Sequence, residues 1–281
     1  MVVGGDGTFN CHIHTDDIGE AIEAGIRVGR PFRIQITDLL DQAAEEAMHH
    51  HPSGFDPLPV FAGAEVGVVA VAVGGGIVEM FRQLGVQGVV VGGQTMNPST
   101  EELLAAVERA SAEQVVILPN NKNIIPVARQ VDALTGKRVV TVPTRSVPQG
   151  IAAMVSYLPS GKPIEEVAAA MESAVADVTG GEVTRAVRDS TTPAGPVKKD
   201  DWLGLIDGDV AVADADLDET LTSLLQRLVT SEAEIVTIIT GADADGAVTG
   251  AAGAWLEEEF GVEVEVVAGG QPLYPYLVSV E

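Results

Sequence analysis

Val66–Val73 is an unbroken run of apolar and glycine residues that ends in Gly74-Gly75-Gly76. A strand with no polar face belongs inside a sheet covered on both sides, which in practice means a parallel sheet. The pattern recurs at Gly88–Val91, Val115–Leu118 and Val139–Val142. Between these runs the spacing predicts helices over Gly76–Leu84, Ser99–Ala110 and Ile124–Leu134. Ser99, with Glu102 three residues on, forms a capping box. Alternating short strands and helices imply an α/β fold with right-handed crossovers. The 31 glycines suit its many tight strand–helix turns, and with 4% aromatic residues the core must be built from Val, Ala, Leu and Ile.

The order of elements changes beyond Lys162. Helix Ile164–Val178 leads to strand Val183–Val187, and a polar stretch follows to Asp201. Trp202–Ile206 and Val210–Val212 read as a hairpin around Asp207-Gly208. Helix Leu217–Val229, strand Ile235–Thr240, helix Ala247–Phe260 and strands Val262–Val267 and Leu273–Val280 complete the chain. Hairpins mixed with crossovers predict a second, mixed sheet. Upstream, residues 1–48 read as a partial β-α-β unit: strand Thr8–His14, a helix capped by Asp16 or Asp17 and running to Val28, and strand Phe32–Ile36. Residues 49–59, with His49-His50-His51 and three prolines, form a linker. The expected division is therefore 1–48, then 60–281 in two subdomains meeting near residue 160.

A formal charge of −25 repels phosphate backbones and anionic headgroups, which argues against nucleic acid and membrane surfaces. The longest apolar run, between Glu65 and Glu79, contains four glycines and is shorter than the ~20 residues of a membrane span. Cys11 is the one cysteine, so no disulfide can close within the chain. Met1-Val2-Val3-Gly4-Gly5-Asp6 has neither the basic region nor the apolar core of a signal peptide, and a cytoplasmic location is expected.

The loops after the four parallel strands gather at one edge, where such sheets bind ligands. They carry Gln94, Thr95, Asn97 and Ser99, then Asn120, Asn121 and Asn123, then Arg145, Ser146 and Gln149. None of these side chains titrates near neutral pH, so they suit recognition of a carboxylate, phosphate or peptide better than acid–base catalysis. They equally suit helix caps and turns. Gly74-Gly75-Gly76 lacks both nucleotide-loop patterns, and Glu79, placed in the first turn of the following helix, would repel a phosphate. His12 and His14 alternate onto one strand face, where they could share a metal, while Cys11 points the other way. The histidines of the linker read as a solvated run, and Asp243–Gly246 as a helix start that lacks the last ligand of a calcium loop.

Taken together, Gly92–Thr100, Leu118–Ile124, Val142–Gly150 and the terminal Gly269–Glu281 resemble the C-terminal region of the fatty acid kinase A-subunit family, formerly described as dihydroxyacetone-kinase-like. His12-Ile13-His14-Thr15 resembles the end of that family's middle domain. The resemblance covers nearly the whole chain. It implies a C-terminal domain of DegV type, docking a fatty-acid-binding partner of the DegV family. It implies an ATP- and magnesium-binding DhaL-like domain upstream, and a middle domain with a zinc site and a contact for a homodimer. The whole complex would phosphorylate a fatty acid carboxylate to the acyl phosphate used in phospholipid synthesis. His12 and His14 map onto the family's zinc pair; the family's zinc cysteine lies upstream, so zinc is expected to bind weakly. The DhaL-like domain and the first half of the middle domain have no counterpart, so the expectation is a fragment or truncated frame without kinase activity of its own. The alternative is a lipid-binding protein in its own right, against which the scarcity of aromatic wall residues argues.

Overall fold

The computed structural model describes residues 2–5, 8–11, 18–30, 64–93, 97–176 and 178–281. The chain divides into two compact units, Met1–Asp56 and Pro57–Glu281. In the first, β1 (Val2–Gly5) pairs antiparallel with β2 (Thr8–Cys11), and α1 spans Ile18–Val28. The sequence reading lacks β1, although Asp6-Gly7 between two short β-prone runs is a hairpin signal. The expected strand Phe32–Ile36, the caps Asp16 and Asp17, the histidines His12 and His14, and the linker 49–59 lie outside the described residues.

The second unit opens with β3 (Val66–Ala72), α2 (Gly75–Gln83), β4 (Gly88–Val91), α3 (Thr100–Arg109), β5 (Gln114–Leu118), α4 (Ile125–Ala128) and β6 (Arg138–Thr141). The four strands form an all-parallel sheet in the order β4-β3-β5-β6. Val66, Val68, Ala70 and Ala72 face one core and Val69 and Val71 the other, so every residue of β3 is buried. The single helix expected over Ile124–Leu134 is instead α4 followed by a 3-10 turn, Val131–Leu134. Pro126 sits in the first turn of α4, the part of a helix that tolerates it.

Next come α5 (Val147–Val155), α6 (Ile164–Ala176), β7 (Thr179–Arg185), the small hairpin β8 (Ser190–Thr192) and β9 (Gly195–Val197), β10 (Trp202–Ile206), β11 (Asp209–Asp214), α7 (Leu217–Leu228), β12 (Ile235–Thr240), α8 (Gly246–Phe260), β13 (Glu263–Ala268) and β14 (Tyr276–Val280). The second sheet is mixed, in the order β11-β10-β7-β14-β12-β13; only β12 and β13 run parallel. β14 ends the chain yet lies inside the sheet, with all five residues buried. α7 and α8 cover one face through Leu221, Leu224, Leu225 and Leu256. Ile239 and Leu277 on the other face join Ala72, Ile77, Met154 and Met171 in a core shared with the parallel sheet.

β7 begins earlier than the expected Val183–Val187 because its polar, glycine-bearing start is still strand. A Cβ on Gly181 would lie 2.5 Å from Leu228 Cδ1, so the glycine marks where α7 presses on the sheet. α5, read from sequence as loop, is capped by the Ser146 hydroxyl and opens with Pro148 in its first turn.

Candidate functional site

β3 and β5 are neighbours, but the chain leaves them in opposite directions, to β4 on one side and β6 on the other. Their carboxyl ends part at this switch point and leave a crevice, the usual ligand site of an open parallel sheet. Residues 269–275, the strap from β13 to β14, close it. Gly269 N and Gly270 N donate to Thr240 O at 2.8 and 3.0 Å, Ala242 N to Gln271 O at 2.9 Å, and Gly241 N to Pro275 O at 2.8 Å. Gln271 Nε2 donates to Ile239 O at 3.1 Å and Tyr274 O at 3.0 Å, and Thr184 Oγ1 donates to Leu273 O at 2.8 Å.

The strap fits because Gly74 and Gly76 have no side chains. Gly74 sits at φ 104°, and a Cβ there would lie 2.6 Å from Gly269 O; one on Gly76 would lie 1.8 Å from Ala268 O. Ile77 N donates to Gly269 O at 3.2 Å. The start of α2, where a phosphate would sit in a nucleotide fold, thus holds the protein's own carbonyl. α2 begins at Gly75, which puts Glu79 in its second turn rather than the first.

Beneath the strap a cavity of about 140 Å³ remains. Its wall is mostly apolar, with Val71, Val73, Ile77 and Leu277 contributing; Asn120, Asn121, Gln271, Glu182 and Tyr274 are among its polar members. Asn120 is buried at φ 52°; its Nδ2 donates to Val71 O at 2.9 Å, and its backbone N to Thr144 Oγ1 at 2.9 Å. Because both amide NH₂ groups face carbonyls, neither side chain can be flipped without setting oxygen against oxygen. Among the described residues, Asn120 Oδ1 and Gln271 Oε1 have no hydrogen-bond donor. Each oxygen lies against a glycine, occupying the place a Cβ would take at Gly150 and Gly269 respectively, 2.2 Å away in both cases. Burial, with the charge of Glu182 second, pushes the Tyr274 hydroxyl well above its usual range, so it stays neutral.

Several expected contact residues have internal work instead. Asn121 is 2% exposed, and its Oδ1 accepts from Asn123 N at 2.8 Å. Gln149 is 8% exposed, and its Oε1 accepts from Arg145 N at 2.8 Å. Ser146 caps α5, and Ser99 caps α3 with Glu102 returning the bond to Ser99 N at 2.7 Å. Asn120, Asn121 and Gln149 therefore shape the loops from inside. All three are buried, and Asn120 and Asn121 line the cavity. Asn97, Asn123 and Arg145 are exposed, as is Lys122, whose Nζ donates to Gly208 O at 3.4 Å. Gln94, Thr95, His12 and His14 lie outside the described residues. Among the described residues, no three His, Cys, Asp or Glu side chains come together as a metal site, and no helix is long and apolar enough to cross a membrane.

Glu182 is absent from the sequence-derived candidates, and Gln271, Leu273 and Tyr274 enter only within the terminal stretch Gly269–Glu281 that carries the family resemblance. The reading of Leu273–Val280 as one strand hides the strap, although Gly269-Gly270 and the prolines Pro272 and Pro275 signal it.

A parallel α/β layer joined to a mixed sheet is the architecture of DegV-type proteins. The structure is similar to a DegV family protein from Corynebacterium glutamicum, with a TM-score of 0.57 at 16% identity over 77% of this chain and 96% of that one. It is also similar to the fatty acid kinase (Fak) B3 protein of Streptococcus pneumoniae loaded with linoleic acid, with a TM-score of 0.54 at 9% identity over 77% and 99%. Residues 67–281 match the family model for the C-terminal domain of fatty acid kinase A-subunit-like proteins, and residues 1–46 match its middle-domain counterpart. The chain belongs to the fatty acid kinase A-subunit-like family. It is 34% identical over its whole length to an uncharacterized protein of Staphylococcus aureus strain USA300, of which it spans 51%.

Proposed function

We propose that this chain is the docking part of a fatty acid kinase A-type protein, receiving a fatty-acid-carrying B-type partner so that an ATP-binding domain elsewhere in the protein can phosphorylate the acyl carboxylate. The observation behind this reading is the closed crevice. The fold is shared with a protein loaded with linoleic acid, yet the chain's own strap leaves only about 140 Å³ at the switch point. An apolar cavity of about 150 Å³ holds a single benzene, roughly a third of a long acyl chain. A module of the carrier fold whose switch-point cavity, among the described residues, is too small for the cargo is suited to meeting the carrier. Asn97, Asn123 and Arg145 are the residues of the carboxyl edge that we assign to the contact.

Calorimetric titration of the chain with a fatty-acid-loaded B-type partner tests this. The parent should bind, and Arg145→Ala should weaken binding by on the order of 1–2 kcal/mol with an unchanged melting temperature. A parent that shows no heat of binding, or that carries a stoichiometric fatty acid of its own through native purification, would sink the docking reading in favour of lipid binding.

A further inference from the structure

The cavity under the strap has a chemistry distinct from its size. Three of the donors that could meet an anion there are committed to the protein's own carbonyls: Asn120 Nδ2 to Val71 O, Gln271 Nε2 to Ile239 O and Tyr274 O, and Ile77 N, at the start of α2, to Gly269 O. The wall also carries the Asn121 amide, the Tyr274 hydroxyl and the carboxylate of Glu182, beside apolar surface from Val71, Val73, Ile77 and Leu277. A carboxylate or phosphate entering it would lose its hydration among largely apolar walls and find these three donors already bonded, which is costly. A neutral apolar group loses nothing on entry and gains contact on every side.

The cavity also lies beside the surface assigned to docking. Gly92 and Gly93 line it and lead, through the segment after β4, to Asn97; Asn121 lines it and sits two residues from Asn123. Leu273, at φ 69° and 48% exposed, lines it from the strap and carries an apolar surface outward. A volume of about 140 Å³ suits one large aliphatic or aromatic side chain. Interfaces concentrate their affinity where such a side chain fills a desolvated pocket ringed by polar contacts.

We propose that this cavity is an anchor pocket that takes one neutral apolar side chain of the B-type partner and excludes anions, including the carboxylate of the partner's fatty acid. The assignment rests on the docking reading above and adds its central contact.

Gly93 provides the test. It is half-buried at the cavity, and a Cβ there would make only an ordinary contact, 3.4 Å from Val73 Cγ1, so Gly93→Leu can block the pocket without entering the core. Toluene and benzoate, alike in size and different in charge, are titrated separately into the full chain at millimolar concentration and followed by the methyl resonances of Val71 and Ile77. Toluene should shift them and benzoate should not. Gly93→Leu should abolish the toluene shifts, keep the parent's melting temperature and lower partner affinity tenfold or more. Failure of toluene to bind the parent, or benzoate binding as well as toluene, overturns the pocket. If toluene binds the parent and folded Gly93→Leu no longer takes it but holds the partner at parental affinity, the anchor is wrong and docking elsewhere on the edge stands. If toluene binds but the parent never binds the partner, the docking reading fails and takes the anchor with it.

Discussion

The two sheets of the larger unit reach the shared core by opposite routes. The parallel sheet is continuous in sequence, residues 66–141, and its strands are short apolar runs closed by glycine or polar loops. The mixed sheet is assembled from distant pieces, with β14, at the end of the chain, lying between β7 and β12. The parallel sheet opens a crevice at its carboxyl edge and the mixed sheet supplies the strap that closes it. A binding edge and its plug thus come from different halves of one unit, and neither half alone has the cavity.

If the halves depend on each other in this way, damage to the shared core from one side should be felt on the other. Leu277 is 5% exposed on β14 and packs into the core with Ala72, Ile77 and Phe81. Leu277→Ala should cost about 2–5 kcal/mol. Hydrogen exchange should then show the amides of β3 and β12 losing protection together. Unchanged protection of β3 alongside weakened β12 would mean that the sheets unfold separately and that the comparison describes two domains.

A smaller effect should remain local to the parallel half. The Ser99 hydroxyl accepts from Glu102 N at 3.2 Å, and the Glu102 carboxylate accepts from Ser99 N and Ser99 Oγ. Ser99→Ala should cost about 1 kcal/mol in urea unfolding. The bonds from the Ser99 backbone and hydroxyl hold the Glu102 carboxyl below its ordinary range. A carboxyl depressed in the folded state contributes stability above its unfolded pKa and loses it as pH falls through the folded value. The difference between parent and Ser99→Ala should therefore narrow on acidification through that interval. The part owed to the neutral hydroxyl on Glu102 N should remain. A difference that widened with falling pH would show that the pair does not act as a capping box.

How much of this was legible from sequence follows the same division. β3, β4, β5 and the start of α3 could be read because local pattern and final environment agree: apolar runs are buried on both faces, and Ser99 caps the helix it precedes. The start of β7 could not be placed, because Thr179, Gly180 and Gly181 look like loop until Leu224 and Leu228 of α7 are known to lie on Gly181. α5 was hidden behind the loop-like Arg145-Ser146-Val147-Pro148, although Ser followed by Pro also opens helices. At the candidate site the sequence indicated the edge at which the cavity lies but not the roles of its residues. Asn120, Asn121 and Gln149 are polar residues that follow buried strands, and nothing local distinguishes an amide that holds a loop from one that meets a partner. The strap escaped because its importance lies in contacts with Gly74, Gly76 and Ile77, nearly two hundred residues away.

The finest test of the contrast is at Leu273, where the strap shows its outer side. A leucine at φ 69° carries the steric cost of the left-handed region, roughly 1–2 kcal/mol, which glycine would not. Leu273→Gly removes that cost and also forfeits what the side chain gains from burial. With 48% of the residue exposed, that gain is about half of the 1.5–3 kcal/mol of a fully buried leucine. Glycine adds an unfolded-state entropy cost of about 0.4–1 kcal/mol. These contributions nearly cancel, so urea unfolding of Leu273→Gly should lie within about 1 kcal/mol of the parent, well short of the loss expected at Leu277, four residues on. If the strap is a presented surface, the same substitution should weaken the B-type partner severalfold in calorimetric titration. A loss of stability above about 3 kcal/mol would show instead that the Leu273 side chain is needed to hold the strap down, and its left-handed backbone would then be explained by packing alone.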